Sequence, residues 1–291
     1  MEFSITDPFL WETVIQGLLF GGVLALLSLG LNIVFGVIDV VWICYAELVM
    51  IGMYTIYFLY VDYGLPLPLA FAGGILVVAL LGAVLHHFII RPILHTEPIN
   101  QLLVTGGVLF FLQGFATLLF SVEFRNLGVS FGSFEAGDMF FPISRMLAFA
   151  VSLVAVVVLW LFLKRTYLGT AIRAISQDRE IMPLMGVSPQ KIYLVTSALG
   201  GGLAGLGACL LVLLYDIHPA IGLVFGPITF MVCVMGGLGN LIGGFIAAFI
   251  FAEFIALGGF YAEVEWGYVM AFAFFIVMMF IRPQGIMGSK S

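Results

Sequence analysis

Three acidic side chains within apolar runs are the residues of this chain best suited to chemistry. Asp39, Glu47 and Glu253 lie near or within stretches that consist mostly of Leu, Val, Phe, Ala and Gly. A carboxylate near the middle of a bilayer costs about 2.5–3.5 kcal/mol on insertion scales, so it tends to face a cavity or a partner. We predict that Glu47 faces a solute pathway; the alternative is a neutral, hydrogen-bonded side chain that pins two helices together. Asp39 fits the inner interface, and Glu253 fits a packing role near the outer end of its helix.

The sequence offers few other parts for catalysis or metal binding. Its three cysteines, Cys44, Cys209 and Cys233, lie in apolar runs and lack metal-ligand spacing. The chain has no His-Glu-x-x-His motif, no pair of intramembrane aspartates and no Gly-x-x-x-x-Gly-Lys phosphate loop. We therefore predict no catalytic residue, no metal site and no cofactor bound by this chain.

Long apolar segments must position these side chains. Hydrophobic residues make up 63% of the 291 residues, and Asp, Glu, Lys and Arg only 9%. A bilayer core about 30 Å thick needs roughly 20 mostly apolar residues per helical span. We predict an all-α polytopic membrane protein forming one domain over residues 1–291, with a poorly structured loop near 122–145. The predicted spans are 12–30, 43–61, 66–90, 100–121, 146–163, 192–214, 223–238, 240–258 and 267–281.

We predict eight or nine membrane-spanning helices, and the number depends on one glycine-rich turn. Gly236-Gly237-Leu238-Gly239-Asn240 separates the segments 223–238 and 240–258. It can join two short helices or interrupt a single re-entrant one. Gly201 and Gly205, like Gly239 and Gly243, are four residues apart, a spacing that lets helix backbones approach closely. We predict a helix-packing role for these four glycines.

Basic residues set the predicted orientation. Five of the ten Lys and Arg residues lie between Lys164 and Lys191, and cytoplasmic loops retain such residues. Placing that stretch inside leaves only Arg125 and Arg145 outside, with the N-terminus outside and the C-terminus inside. The formal charge of −6 then reflects mainly an external acidic surface, so we predict no nucleic-acid partner.

The basic stretch 164–191 also has the pattern of a short amphipathic helix. Ile172, Ile175, Met182 and Met185 keep helical spacing, while Arg173, Gln177 and Glu180 supply a polar side. One interpretation is that the basic residues only fix topology. The other is a docking element for a cytoplasmic partner. The spacing alone does not choose between them.

The motifs of this stretch and of the C-terminal third resemble the permeases of branched-chain amino acid ABC importers. The likeness covers nearly the whole chain. It is carried by Gly169, Arg173, Ala174, Asp178, Gly186, the Gly200-Gly201-Gly202-Leu203-Ala204-Gly205 run, Pro219, Gly222, Gly236-Gly237-Leu238-Gly239, Arg282-Pro283-Gln284-Gly285, and Arg91-Pro92-Ile93 leading into Gln113.

The resemblance implies one half of a pore in a bacterial inner membrane. It implies a homologous second permease or a copy of this chain, two ATP-binding subunits that hold ATP and Mg, an external solute-binding protein and surrounding lipid. The segment from Gly169 to Gly186 then corresponds to the coupling helix that seats on the ATPase, through Gly169, Ile172, Arg173, Ala174, Asp178 and Gly186.

One departure from the family pattern bears on the cargo. Where the family commonly has Asn-Phe-Ala-His-Gly-Glu, this chain has Trp42-Ile43-Cys44-Tyr45-Ala46-Glu47. We predict Trp42, Tyr45, Glu47, Asn32 and Asp39 as pathway residues, although Asn32 could equally bridge helices. Branched-chain or other apolar amino acids are the expected small-molecule cargo. The alternatives are urea or short amides, or a secondary transporter or channel.

Overall fold

The computed structural model describes residues 8–129, 131–136, 139–179 and 182–288, and helices dominate them. Helices α2 and α3 continue directly into π-helical turns, at Phe58–Asp62 and His86–Ile90. The α-helices are α1 (Pro8–Ile38), α2 (Tyr45–Tyr57), α3 (Leu67–Leu85), α4 (Arg91–Ile93), α5 (Pro98–Phe120), α6 (Ile143–Arg165), α7 (Tyr167–Gln177), α8 (Pro189–Leu211), α9 (Ile221–Gly236), α10 (Leu241–Tyr261) and α11 (Val264–Ile281).

Six helices of the described chain are long and apolar enough to cross a membrane. They are Pro8–Ile38, Leu67–Ile93, Pro98–Phe120, Ile143–Arg165, Pro189–Leu211 and Leu241–Tyr261. Two shorter apolar helices, Ile221–Gly236 and Glu265–Ile281, accompany them. Each of the nine segments predicted from the sequence falls on a helix. The fold is therefore that of an all-α, multi-pass membrane protein.

Local sequence explains where several helices begin. Pro98 and Pro189 occupy the first positions of α5 and α8, where a missing N–H costs nothing. The Asn240 side chain accepts a hydrogen bond of 2.9 Å from the Gly243 N–H and so caps α10. This cap makes 237–240 a turn between two separate helices, α9 and α10.

Helix α1 is the centre of the bundle. Every residue from Gly21 to Val34 is buried, on all sides of the helix. A helix that is apolar all round must be enclosed by others, and α1 contacts α6, α8, α9 and α10. The remaining helices pack around this axis and leave apolar side chains on the outside of the bundle.

Glycines allow α3 and α8 to pack backbone to backbone. A Cβ atom at Gly201 would lie 2.6 Å from the Val78 carbonyl oxygen, and one at Gly205 would lie 2.8 Å from the Ile75 Cα. The other predicted pair is different. Gly243 faces the end of α9, and Gly239 lies outside the helices, in the turn, with φ of +80°. A Cβ atom at Gly239 would lie 3.0 Å from the Gly36 Cα of α1, so Gly239 also lies in a close backbone contact. Its conformation suits glycine because a side chain disfavours positive φ.

A small antiparallel hairpin occupies part of the loop predicted to lack regular structure. Strands β1 (Ser133–Ala136) and β2 (Met139–Pro142) pair there, so that prediction is wrong for these residues. Aromatic residues such as Phe134, Phe140 and Phe141 favour strands. Arg125 also forms an isolated antiparallel bridge with Ile217, which ties this loop to the one between α8 and α9.

Candidate solute pathway and the α6–α8 connection

Glu47 is enclosed between the first turns of two helices. It lies in the first turn of α2 and is fully buried, and neither carboxylate oxygen has a hydrogen-bond partner among the described residues. Gly222 covers it from the first turn of α9: a Cβ atom there would lie only 2.6 Å from the Glu47 Cδ. Helix N-termini carry partial positive charge. Two of them therefore meet at this carboxylate.

A cleft of about 220 Å³ adjoins this contact. Trp42, Tyr45 and Ala46 line one side of it, and Gly222 and the residues that follow in α9 line the other. The Tyr45 hydroxyl donates to the Gly200 carbonyl oxygen at 3.3 Å. The walls of the cleft are mostly apolar, as a binding site for an aliphatic solute requires. Gly222 borders both the cleft and Glu47.

Asn32 and Asp39 lie elsewhere. The Asn32 Oδ1 accepts a hydrogen bond of 3.1 Å from the Gly239 N–H and so fixes the turn before α10. Asp39 follows the end of α1 with φ of +61° and forms a 3.4 Å ion pair with Arg179. The structure brings Glu47, Trp42 and Tyr45 together and separates Asn32 and Asp39 from them. A pathway role for all five stays a prediction.

The α6–α8 connection, residues 166–188, begins with a sharp turn into α7. The Thr166 Oγ1 accepts a hydrogen bond of 3.0 Å from the Gly169 N–H, which caps the helix. A Cβ atom at Gly169 would lie 2.5 Å from the Leu163 Cα, so only glycine fits against the end of α6. Ile172 and Ile175 are buried against the bundle, Ala174 is half-buried, and Arg173 is exposed.

Helix α7 is shorter than its apolar spacing predicts. It ends at Gln177, followed by Asp178 in an extended conformation. Met182 and Met185 belong to a separate 3₁₀ turn, so their predicted place on the face of Ile172 is wrong. Glu180 lies outside the described residues. The 3₁₀ turn closes at Gly186, whose φ of +78° suits glycine, and exposes Met185.

Two site features were missed from the sequence. The contact of Gly222 with Glu47 and the Asp39–Arg179 ion pair both join residues far apart in the chain. The sequence did hold a signal for the Gly222–Glu47 contact, because Gly222 is one of the C-terminal residues that resemble the permease family.

A Gly-x-Ser-x-Gly motif occurs at 128–132, but it precedes a hairpin instead of turning from a strand into a helix. Ser130 lies outside the described residues, and no nucleophile is assigned to it.

Comparison with known proteins identifies relatives over nearly the full chain. The permease protein BraD of the high-affinity branched-chain amino acid transport system of Pseudomonas aeruginosa is 28% identical, covering 95% of each chain. LivH of Escherichia coli is 26% identical over 98% of each chain. LivM of Escherichia coli is 27% identical over 90% of this chain and 67% of its own.

A structural relative agrees with the fold. PsaBC from Streptococcus pneumoniae, solved in complex with Fab, superposes with a TM-score of 0.50 at 18% identity, covering 96% of this chain and 94% of that one. The family model for the permease component of branched-chain amino acid transport systems matches residues 13–279. This chain therefore belongs to the family of branched-chain amino acid transport system permease components.

Proposed function

We propose that this chain is one permease subunit of an ATP-driven importer that moves branched-chain or other apolar amino acids into the cell. It spans a bacterial inner membrane eight or nine times, with its N-terminus outside and its C-terminus inside. Membership of the permease family and the printed names of BraD and LivH support the cargo. The apolar cleft beside Glu47 supports it independently.

The observation that carries the ATP-driven mechanism is the geometry of α7. Its apolar residues Ile172 and Ile175 pack on the bundle, while Arg173 is exposed. Leu184, in the 3₁₀ turn that follows α7, has 85% of its surface exposed. Such an element can transmit force because one face is held by the transporter and the other is open to a partner. We infer that α7 and the turn ending at Gly186 form the coupling helix.

The partners follow from what the sequence lacks and from its relatives. The chain has no phosphate loop, so two separate ATP-binding subunits hydrolyse ATP with Mg. LivH and LivM are both named permease proteins of one high-affinity system in Escherichia coli, which supports a homologous second permease for this chain. The other possibility is a copy of itself. An external binding protein delivers the solute.

Charge reversal at Arg173 tests the docking surface. We expect Arg173→Glu to abolish co-purification of the ATP-binding subunits while the permease still accumulates in the membrane. Arg282→Glu is the matched control, because Arg282 is also exposed and lies at the same end of the bundle, after α11. Equal ATPase retention by both variants and wild type would defeat the coupling assignment.

Transport assays test the cargo. We expect the assembled importer to accumulate labelled leucine and not labelled urea. Accumulation of urea in preference to leucine would instead select the short-amide alternative. Leucine transport by this chain alone, with no nucleotide, would select a secondary transporter or channel.

A further inference from the structure

A second, separate crevice lies at the end of the bundle opposite the α6–α8 connection, the outer end in the proposed orientation. Its volume is about 350 Å³. Four helices and the α8–α9 loop form it, and its polar lining includes Gln16 of α1, Arg145 of α6, Tyr215 of the loop and Tyr268 of α11. Phe20 and Ile255 form part of its apolar wall. The crevice shares no lining residue with the cleft beside Glu47.

Arg145 is the cationic group of this crevice. Its Nη1 donates to the Gln16 Oε1 at 2.5 Å, and the Gln16 Nε2 donates to the Glu12 Oε1 at 2.9 Å. Arg145 forms no salt bridge among the described residues. One hydrogen bond leaves most of the five guanidinium N–H donors for a ligand. A guanidinium fork suits a carboxylate because it can donate two parallel hydrogen bonds.

The two tyrosines belong to the same electrostatic environment. Burial and, to a smaller extent, the nearby Tyr268 raise the pKa of Tyr215 to about 12, although Arg145 acts in the opposite direction. The Tyr215 hydroxyl therefore stays protonated at neutral pH and can donate to an anion. Tyr215 is also held in place by its ring contacts with Phe20 and Phe225, at centroid distances of 6.3 and 5.3 Å.

Glu253 places a carboxyl group next to two lining residues of the same crevice, Gly17 and Ala252. It follows Ala252, a lining residue of α10, and its Oε2 lies 3.0 Å from the position of a Cβ atom at Gly17. Its Oε1 is buried without a hydrogen-bond partner among the described residues. Gly17 lines the crevice and directly follows Gln16, the partner of Arg145. Gln16 and Gly17 both line the crevice, so Arg145 and Glu253 approach the same α1 wall of it.

We propose that this crevice is an outer binding site for a zwitterionic α-amino acid. Arg145 receives the carboxylate, Glu253 receives the ammonium group, and an aliphatic side chain lies against Phe20 and Ile255. The inference rests on the proposed function, because it assigns an entry site to the same cargo. It explains why an otherwise apolar bundle carries an arginine on α6 and, on α10, a carboxyl group with an unpartnered oxygen, both beside the same stretch of α1.

Competition binding on the assembled membrane complex, without the external binding protein, tests the site. Labelled leucine is the probe, and the competitors are leucine, 3-methylbutylamine, which lacks the carboxylate, and 4-methylpentanoate, which lacks the ammonium group. We expect each analogue to bind the wild type roughly 10- to 100-fold more weakly than leucine, as expected for loss of a charge-assisted hydrogen bond. Arg145→Gln should bring leucine and 3-methylbutylamine to equal affinity, and Glu253→Gln should do the same for leucine and 4-methylpentanoate.

Conservative and distant variants separate recognition from folding. Arg145→Lys keeps the charge but loses the planar fork, so it should retain part of the preference for a carboxylate. Glu265→Gln removes an exposed carboxylate at the same end of the bundle and should leave all affinities unchanged. Affinity ratios do not depend on the fraction of folded protein, so partial misfolding does not mask the result.

Two outcomes would overturn the site, and one would overturn the proposed function on which it rests. If both glutamine variants keep the wild-type preferences while the wild-type importer still accumulates leucine with ATP, the crevice is not an amino acid site and the proposed function stands. If the wild-type importer fails to accumulate leucine, the proposed function fails first. If leucine binding is lost in nanodiscs of phosphatidylethanolamine but not phosphatidylcholine, the crevice belongs to a lipid headgroup that carries the same pair of charges.

Discussion

Replacing Gly222 by alanine tests how tightly α9 closes over Glu47. The new Cβ atom would lie 2.6 Å from the Glu47 Cδ and 2.7 Å from its Oε2, so either the buried Glu47 side chain has to turn aside or one of the two helices has to move. Overpacking of this kind costs about 1–3 kcal/mol. Alanine stabilises a helix by about 0.5–1 kcal/mol relative to glycine, which offsets part of this cost. We expect a net loss of about 0–2.5 kcal/mol in the free energy of unfolding.

Gly226, one turn further along α9, is the matched control. A Cβ atom there would lie 3.4 Å from the Ala46 Cβ, an ordinary contact. Pro227 disfavours a Cβ atom at the preceding helical position, so Gly226→Ala should gain less than the about 0.5–1 kcal/mol usual for this exchange. Gly222→Ala should still be the less stable of the two variants. Thermal unfolding of the purified complex should separate their Tm values by about 2–4 °C per kcal/mol.

A double-mutant cycle identifies Glu47 as the cause. In a Glu47→Ala background the carboxylate is absent, so Gly222→Ala should cost no more than Gly226→Ala. The interaction energy should be about 1–3 kcal/mol, as for residues in direct contact. Equal Tm values for the two alanine variants, or a cost of Gly222→Ala that persists without the carboxylate, would refute the packing of α9 on Glu47.

Four further substitutions, one of them a control, have expected outcomes from the structure. Gly205→Val should prevent stable accumulation of the chain, because the valine side chain would force α3 and α8 apart. Gly202→Ala is the control: its Cβ atom would have only a 3.7 Å contact, so this variant should accumulate normally. Immunoblots of membranes measure both. Thr166→Val should weaken α7 by about 1 kcal/mol through loss of the helix cap, seen as faster proteolysis within 166–188; unchanged proteolysis would contradict the cap. Asp39→Asn should cost less than about 1 kcal/mol in thermal unfolding, since the pair with Arg179 is exposed, and a larger cost would show a buried interaction instead.

The membrane-spanning helices were predictable because a bilayer imposes both length and composition. A span needs enough apolar residues to cross the hydrocarbon core, and each predicted segment falls on a helix. The burial of Glu47 was predictable for the same reason, since it lies in an apolar run. The likeness of the C-terminal motifs to a permease family was also readable, and the match over residues 13–279 confirms it.

Long-range contacts and local chain reversals were not predictable from spacing. Nothing in the sequence pairs Glu47 with Gly222, or Asp39 with Arg179, because these contacts depend on how separate helices are arranged. The periodicity from Ile172 to Met185 suggested one helix, yet the chain leaves α7 after Gln177. Periodicity reports which residues prefer burial and does not show where the backbone turns.

Reconstituted transport provides the most direct test of an ATP-coupled permease. Vesicles that contain this chain with its second permease, both ATP-binding subunits and the external binding protein should accumulate leucine only when ATP is supplied on the side of α7. Omitting the ATP-binding subunits, or introducing Arg173→Glu, should abolish accumulation. Leucine movement at the full rate through vesicles that contain this chain alone, without nucleotide, would contradict the mechanism.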